Sequence, residues 1–377
     1  MTTFSDNSSE SKGEEVLEEE IEDENNQEEK VTFQYDPEKI NISTREPTIE
    51  LLLKRINEEA LDLAPDFQRH ANVWKEDAQS RLIESVIIRI PIPALYIDAT
   101  NEDKWLVVDG LQRLFALKRF IIDKELKLSG LEYLTGLEGK TYDQIERRYQ
   151  RRLEETQLTV YLIDKGTPPE VKYNIFKRIN TGGLALSPQE LRHALNPGKG
   201  TKFLTKLAAC PEFQQVVQLG NNRKMRMDDR EFILGFLAFS LTPYQEYADS
   251  RDTFLTKALS KLNTLSETEL NNIENSFKKT MIAAWDIFEK NAFRKISNTQ
   301  KKKFPVNKAL FESWSVNLSK LSHEQIQVLI KNKQKLIHIF KTYIDTDKDF
   351  LESISQATDK IQDRFITIET IIKKTLV

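Results

Sequence analysis

Cysteine is almost missing from this chain. Cys210 stands alone, so a disulfide framework and a cysteine-based zinc cluster are both excluded. Histidine is nearly as scarce: His70, His193, His323 and His338 are widely separated, with no HxxxH or HExxH spacing. Each therefore reads as a packing or surface residue rather than a metal ligand. No GxxxxGK[ST] phosphate loop occurs, and the C-terminal half lacks the clustered histidines that an HNH-type nuclease needs. No run of about 18 apolar residues is present, so no transmembrane helix is expected. The N-terminus is polar and acidic rather than basic and then apolar, which does not resemble a signal peptide. A cytoplasmic protein without membrane contact is the expectation. Glycine and proline are also sparse, at 12 each in 377 residues, so those that fall between apolar runs serve as punctuation.

What is abundant is charge, and it is unevenly placed. Residues 1–30 hold 12 Asp or Glu against Lys12 and Lys30, a local net of −10 in a chain of net −4. The remainder is thus mildly basic, which allows contact with a polyanion without demanding it. Residues 1–34 are poor in apolar side chains and rich in Glu, Asp, Ser and Asn, so they read as a disordered acidic tail. Such a tail either shields a basic surface or is simply solvated.

Beyond the tail, order is expected from about Ile40. Thr48 caps a helix that places Ile49, Leu52, Leu53, Ile56 and Ala60 on one face. A second helix is expected over about 75–86, through Ala78, Leu82, Ile83 and Val86. Pro91 and Pro93 then confine a strand to about 94–97. Residues 131–139 read as a loop, 142–155 as a charged, solvent-facing helix and 157–163 as a strand. Pro168 and Pro169 open a helix with Val171, Ile175, Phe176 and Ile179 inside, closed by the glycines of Asn180-Thr181-Gly182-Gly183. Ser187, Pro188 and Glu190 then form a capping box, with Leu186 and Leu191 as its staple. From Lys202 only helical periodicity follows, over 203–219, 228–241, 254–262, 267–291, 307–318, 324–343 and 350–376, with no internal repeat. The fold class is α+β: a small mixed sheet with helices over about 35–200, then an all-α region over 201–377.

The stretch Lys104 to Phe120 is the most informative. Leu106-Val107-Val108 ends at Asp109-Gly110, and Leu111, Leu114, Phe115 and Lys118 follow at helical spacing, so strand, tight turn and helix are expected. Asp109 stands where an N-cap belongs, and Gln112 completes a capping box on that register. The helix amides with Arg113 make a phosphate seat. The same residues also fit an ordinary capped helix whose Arg113 pairs with a nearby carboxylate, and the sequence leaves both readings open. Three further clusters are polar and flank confident elements. They are Phe67-Gln68-Arg69, then Phe176 to Gly183 with Glu190-Leu191-Arg192, and Arg226 to Glu231. Asp109, Asn180 and Glu190 have the chemistry to hold Mg²⁺ or orient a water. The last cluster reads better as a structural or interdomain pair that starts the apolar helix Phe232–Phe239.

Taken in order, these clusters resemble the N-terminal domain of GmrSD-type (type IV) restriction endonucleases. The family's Asp-Gly-Gln-Gln-Arg stands here as Asp109-Gly110-Leu111-Gln112-Arg113. Its Phe-Gln-Arg followed by Val-Trp matches Phe67-Gln68-Arg69 and Val73-Trp74. Its Phe-x-Arg-x-Asn-x-Gly-Gly with a later Glu matches Phe176, Arg178, Asn180, Gly182, Gly183 and Glu190. Arg226, Met227, Asp229 and Glu231 match a further segment, so the resemblance runs from about Thr48 to Phe239. Leu111 departs from the first Gln of the box, and the sulfiredoxin cysteine is missing from it.

The resemblance implies a ParB/sulfiredoxin-like fold that binds a nucleoside triphosphate with Mg²⁺. Asp109, Gln112, Arg113 and Glu190 would be its catalytic residues. Gln68, Arg69, Gly110, Arg178, Asn180 and Thr181 would line the nucleotide pocket. It also implies restriction of foreign, and in some systems modified, DNA. Larger relatives carry an HNH nuclease domain, which this chain is expected to lack. The expected roles are therefore an NTP-hydrolysing defence module served by a separate nuclease subunit, a non-catalytic nucleotide- or DNA-sensing adaptor that recruits a partner, or a metal-dependent nickase. A homo-oligomer is compatible with each.

Overall fold

A computed structural model describes residues 21–22, 41–63, 74–179, 187–248, 250–299, 303–355 and 360–377. Its first part is built on five strands: β1 (Ile42–Arg45), β2 (Leu61–Asp62), β3 (Leu95–Asp98), β4 (Trp105–Asp109) and β5 (Val160–Ile163). They form one mixed sheet in the order β1-β5-β3-β4-β2. β1 is antiparallel to β5, β3 is parallel to β5 and antiparallel to β4, and β2 is parallel to β4. Around the sheet lie α1 (Ile49–Asn57), α2 (Glu76–Ile87), α3 (Leu111–Ile121), α4 (Arg147–Glu155), α5 (Pro169–Ile179) and α6 (Pro188–Leu195).

Side-chain alternation divides these elements between two layers. Leu95 and Ile97 of β3, Val107 of β4, and Val160 and Leu162 of β5 share one core with Ile49 and Leu52 of α1, Ile83 and Val86 of α2, and Leu114, Leu117 and Phe120 of α3. On the opposite face, Val108 and Ile163 pack with Tyr173 and Phe176 of α5 and Leu191 of α6, and Tyr96 is partly buried against them. Thr48 caps α1 by accepting from the Leu51 amide at 3.3 Å, as its position before the apolar run requires. In α4 only Leu153 is buried, so that helix faces solvent.

From Lys199 on, the described chain is almost wholly helical: α7 (Lys199–Ala208), α8 (Pro211–Val216), α9 (Asn221–Met225), α10 (Asp228–Leu241), α11 (Arg251–Thr264), α12 (Glu267–Phe288), α13 (Lys308–Ser319), α14 (His323–Lys331), α15 (Lys333–Thr346), α16 (Lys348–Ser353) and α17 (Ile361–Leu376). One large core starts at Phe203 and continues to Ile372, separate from the sheet's cores. α10 and α13 are buried nearly all round, as helices enclosed by others must be, and α13 buries Glu312, Ser313, Ser315 and Asn317 along with its apolar residues.

Several expected helices are divided. Pro211 cannot donate within a helix, so the 203–219 segment breaks into α7 and α8. The 324–343 segment breaks at Asn332 and shifts to end at Thr346, while 350–376 becomes α16 and α17. The 142–155 helix begins at Arg147, after a 3₁₀ turn at Tyr142–Gln144. β1 and β2 are additional strands. β1 is an edge strand with little buried surface, so its apolar alternation is weak. Of the 1–34 stretch expected to be disordered, the described residues Ile21 and Glu22 instead pair in parallel with Val306 and Asn307.

Candidate functional site

An irregularity in β4 sets the direction of Asp109. Tyr96 of β3 stands opposite Asp109 while Ile97 stands opposite Val107, so Val108 is an extra residue in β4. In a regular strand Asp109 would share the face of Val107 and enter the apolar core beneath α1 to α3. The bulge re-aims it, together with Val108, toward the face that carries Tyr96.

Asp109 is the last strand residue and Gly110 occupies the N-cap of α3, with φ +98°. The expected cap by Asp109 and its box with Gln112 are therefore not formed. The Asp109 carboxylate turns to the Arg113 Nη2 at 2.6 Å, and Gln112 Oε1 accepts from the Trp74 amide at 3.4 Å. Gly110 is required twice. Its φ lies where side chains are strained, and a β-carbon there would run into Leu95 and sit 3.2 Å from Arg113 Nη2. Among the described residues the N-cap Gly110 offers no side chain to α3, so the amides of Leu111 and Arg113 in its first turn lie where an anion would meet them.

Arg113 is largely consumed by the fold. Its Nη1 donates to the carbonyls of Pro93 and Ala94, the latter at 3.2 Å, and its side chain is only 10% exposed. The pairing with a neighbouring carboxylate is thus the reading that the geometry realises. Asp109 itself is about one-third exposed, and among the described residues its Oδ1 has no hydrogen-bond partner. The sheet thereby presents a carboxylate, held in place by a buried guanidinium, at an uncapped helix N-terminus.

Glu190 lies elsewhere in the network. The capping box forms as its spacing requires: Ser187 Oγ accepts from the Glu190 amide at 3.1 Å, and Glu190 Oε2 accepts from the Ser187 amide at 2.5 Å. The same carboxylate meets Arg226 at 3.3 Å, and Ser187 Oγ donates to the Arg226 carbonyl at 2.8 Å. Two residues on, the fully buried Arg192 donates to Asp252 of α11 at 2.7 Å and to Gln189 at 3.0 Å, and lies 3.7 Å from Glu231 of α10. Lys177 of α5 reaches Asp252 at 2.8 Å, and Lys308 of α13 reaches Glu231 at 3.4 Å. Burial alone would raise the pKa of Asp252. The charge of Arg192, then that of Lys177, outweighs it and holds the group at about 2. The Arg226 to Glu231 segment therefore acts as an interdomain clamp that fastens α6 to the helical region, while Asp252 of α11 holds both α5 and α6.

Gln68, Arg69, Asn180 and Thr181 lie outside the described residues, as do the expected glycine cap and Leu186, so the geometry speaks for Asp109, Gly110, Gln112, Arg113, Arg178 and Glu190 alone. Arg178 is exposed in the last turn of α5. Among the described residues no group of three or more His, Cys, Asp or Glu side chains is placed to hold a metal ion. An open cavity of about 480 Å³ in the helical region is lined by Trp285, Asp286, Glu289, Lys290, Asn291 and Lys333, none of which belongs to the four clusters.

Residues 49–196 match the GmrSD restriction endonuclease, N-terminal domain. No curated protein and no solved structure gives a match. The GmrSD-type domain begins with α1 and closes at the C-cap of α6, so it takes in strands β2 to β5, the Asp109 box and the capping box but leaves out edge strand β1. It stops before Arg226 to Glu231, where the resemblance traced in the sequence continued to Phe239. Those residues serve the GmrSD-type domain from outside, through Glu190 and Arg192. No described helix is long and apolar enough to cross a membrane.

Two features of the GmrSD-type domain escaped sequence reasoning. One is the bulge at Val108, which has no glycine or proline to announce it. The other is Tyr96 and Tyr161, whose rings stack at 5.0 Å beside Asp109. The alternation in Leu95-Tyr96-Ile97 and Val160-Tyr161-Leu162 marks both as facing away from the main core. Only the register between their strands brings them together.

Proposed function

We propose that this chain is the nucleotide-binding, NTP-hydrolysing module of a restriction or phage-defence system that acts on foreign DNA, with cleavage supplied by a separate nuclease subunit. The reading rests chiefly on one arrangement: the uncapped N-terminus of α3, set directly after a carboxylate that Arg113 holds in place. Phosphoryl transfer asks a protein mainly for positioning and charge stabilisation, and helix amides supply both to phosphate oxygens. The nucleotide enters as its Mg²⁺ complex. Asp109 faces the phosphates and orients the attacking water. Arg113 is a positioning residue, because its donors are already engaged with Pro93, Ala94 and Asp109. Glu190 keeps α6 and the Arg226 turn together rather than touching the nucleotide.

The engagement of both Arg113 and Glu190 within the fold also favours a second reading, a nucleotide-sensing adaptor that binds without turnover and recruits its partner through the helical region. Phosphate release from each of the four NTPs with Mg²⁺, with and without DNA, separates the two. Asp109→Asn is the control, since the amide oxygen still accepts from Arg113 and the fold survives. Turnover by the wild type that falls at least tenfold in the variant, at an unchanged melting temperature, supports the proposal. Wild-type binding without turnover replaces hydrolysis with the adaptor reading, and undiminished turnover in the variant removes Asp109 from the site.

A further inference from the structure

The strand register places four side chains in one row across the sheet. Thr44 of β1 stands opposite Tyr161 of β5, Tyr161 opposite Tyr96 of β3, and Tyr96 opposite Asp109 of β4. All four face away from the core beneath α1 to α3. Among the described residues α5 and α6 pack on this face at Val108 and Ile163 and partly bury Tyr96. Thr44 is exposed, and Tyr161, Tyr96 and Asp109 are half-buried. The tyrosine rings are stacked at 5.0 Å with 26° between their planes. Among the described residues neither hydroxyl has a hydrogen-bond partner.

We propose that Tyr96 and Tyr161 form the base-recognition subsite of the nucleotide pocket, an inference that rests on the reading of the Asp109 box as its phosphate end. Neighbouring strands are about 4.8 Å apart, so Tyr161 stands about 10 Å from the Asp109 strand, along the line an extended mononucleotide would take from phosphate to base. Each phenol hydroxyl both donates and accepts, which suits the mixed polar edge of a nucleobase and not a phosphate, which offers mainly acceptors. Burial, followed by the proximity of Tyr161 and Asp109, pushes the Tyr96 phenol up, so it remains a donor at neutral pH. The pair also explains why polar aromatic tips occupy the centre of a sheet row where Phe would satisfy the packing alone.

The test compares binding of the four NTPs and of inorganic tripolyphosphate to the full chain and to the double variant Tyr96→Phe with Tyr161→Phe. Both substitutions keep the rings and remove only the hydroxyls, so the melting temperature should not move. The expected result is a wild type that binds at least one NTP more tightly than tripolyphosphate, with that preference reduced about tenfold in the variant and tripolyphosphate affinity unchanged. An NTP preference that survives in the variant overturns the base subsite and leaves the phosphate site standing. A wild type that binds neither probe overturns both. A wild type that binds both equally shows that the base is not recognised at all and overturns the subsite alone.

Discussion

Asp252 offers the sharpest quantitative test of how the two halves of the molecule are joined. Its carboxylate receives Arg192 at 2.7 Å and Lys177 at 2.8 Å, one from each helix of the α5–α6 pair, and is held at a pKa of about 2 against an ordinary 3.8. A shift of that size corresponds to about 2 kcal/mol of stability. Substitution by Asn also strands the wholly buried Arg192 with Glu231 as its one remaining counter-charge among the described residues, and breaking such a pair costs about 3–5 kcal/mol. At pH 7, Asp252→Asn should therefore lose between about 2 and 5 kcal/mol. At about 1.3 °C per kcal/mol for a chain of 377 residues, the lower limit alone lowers the melting temperature by about 2.5 °C. The folded pKa is depressed, so the wild type holds this stability above its unfolded pKa and loses it as pH falls through the folded one. The carboxylate's share of the difference should persist from pH 7 to about 4, shrink below that, and vanish near pH 2. Scanning calorimetry of both proteins across this range is the assay. A difference that stays constant down to pH 3 and below would show that the effect comes from packing, and the ionic clamp would be refuted.

Two further perturbations follow from the same structure. Gly110→Ala places a β-carbon at φ +98° against Leu95, combining left-handed strain with overpacking, so a loss of about 2–4 kcal/mol is expected in thermal unfolding; an unchanged midpoint would contradict the turn geometry. Glu84 accepts from the amides of Glu132, Tyr133 and Leu134 at 2.7–3.0 Å. Burial opposes its ionisation, but these three donors win and lower its pKa. Glu84→Gln should expose those amides to hydrogen exchange at neutral pH, and the wild type should lose the same protection as pH drops below the ordinary carboxylate range. Protection that is indifferent to both would dismiss the carboxylate as the clamp of that loop.

Much of the local structure was legible because it depends on near neighbours. The Thr48 cap, the Ser187–Glu190 box, the prolines that delay β3 and the apolar stretch of α10 each follow from residues within a turn of one another. The strand–turn–helix at Asp109 was legible as well, but its cap was not. Asp109 chose Arg113 over the helix amides because the bulge at Val108 and the carbonyls of Pro93 and Ala94 fix where Arg113 lies. Edge strand β1 was hidden for the opposite reason: it buries too little to leave a pattern.

By itself, the sequence determined the order of elements, the small sheet followed by helices, and the polar clusters whose arrangement resembles the GmrSD N-terminal domain. These are written in spacing, which a linear chain carries directly. Tertiary structure alone decided what each polar residue does. It buried Arg192 between Asp252 and Glu231, joined Glu190 to Arg226, and aligned Thr44, Tyr161, Tyr96 and Asp109 across four strands. Most of these partners lie tens of residues apart. Strand register and helix docking bring them together, and neither is encoded within any single segment.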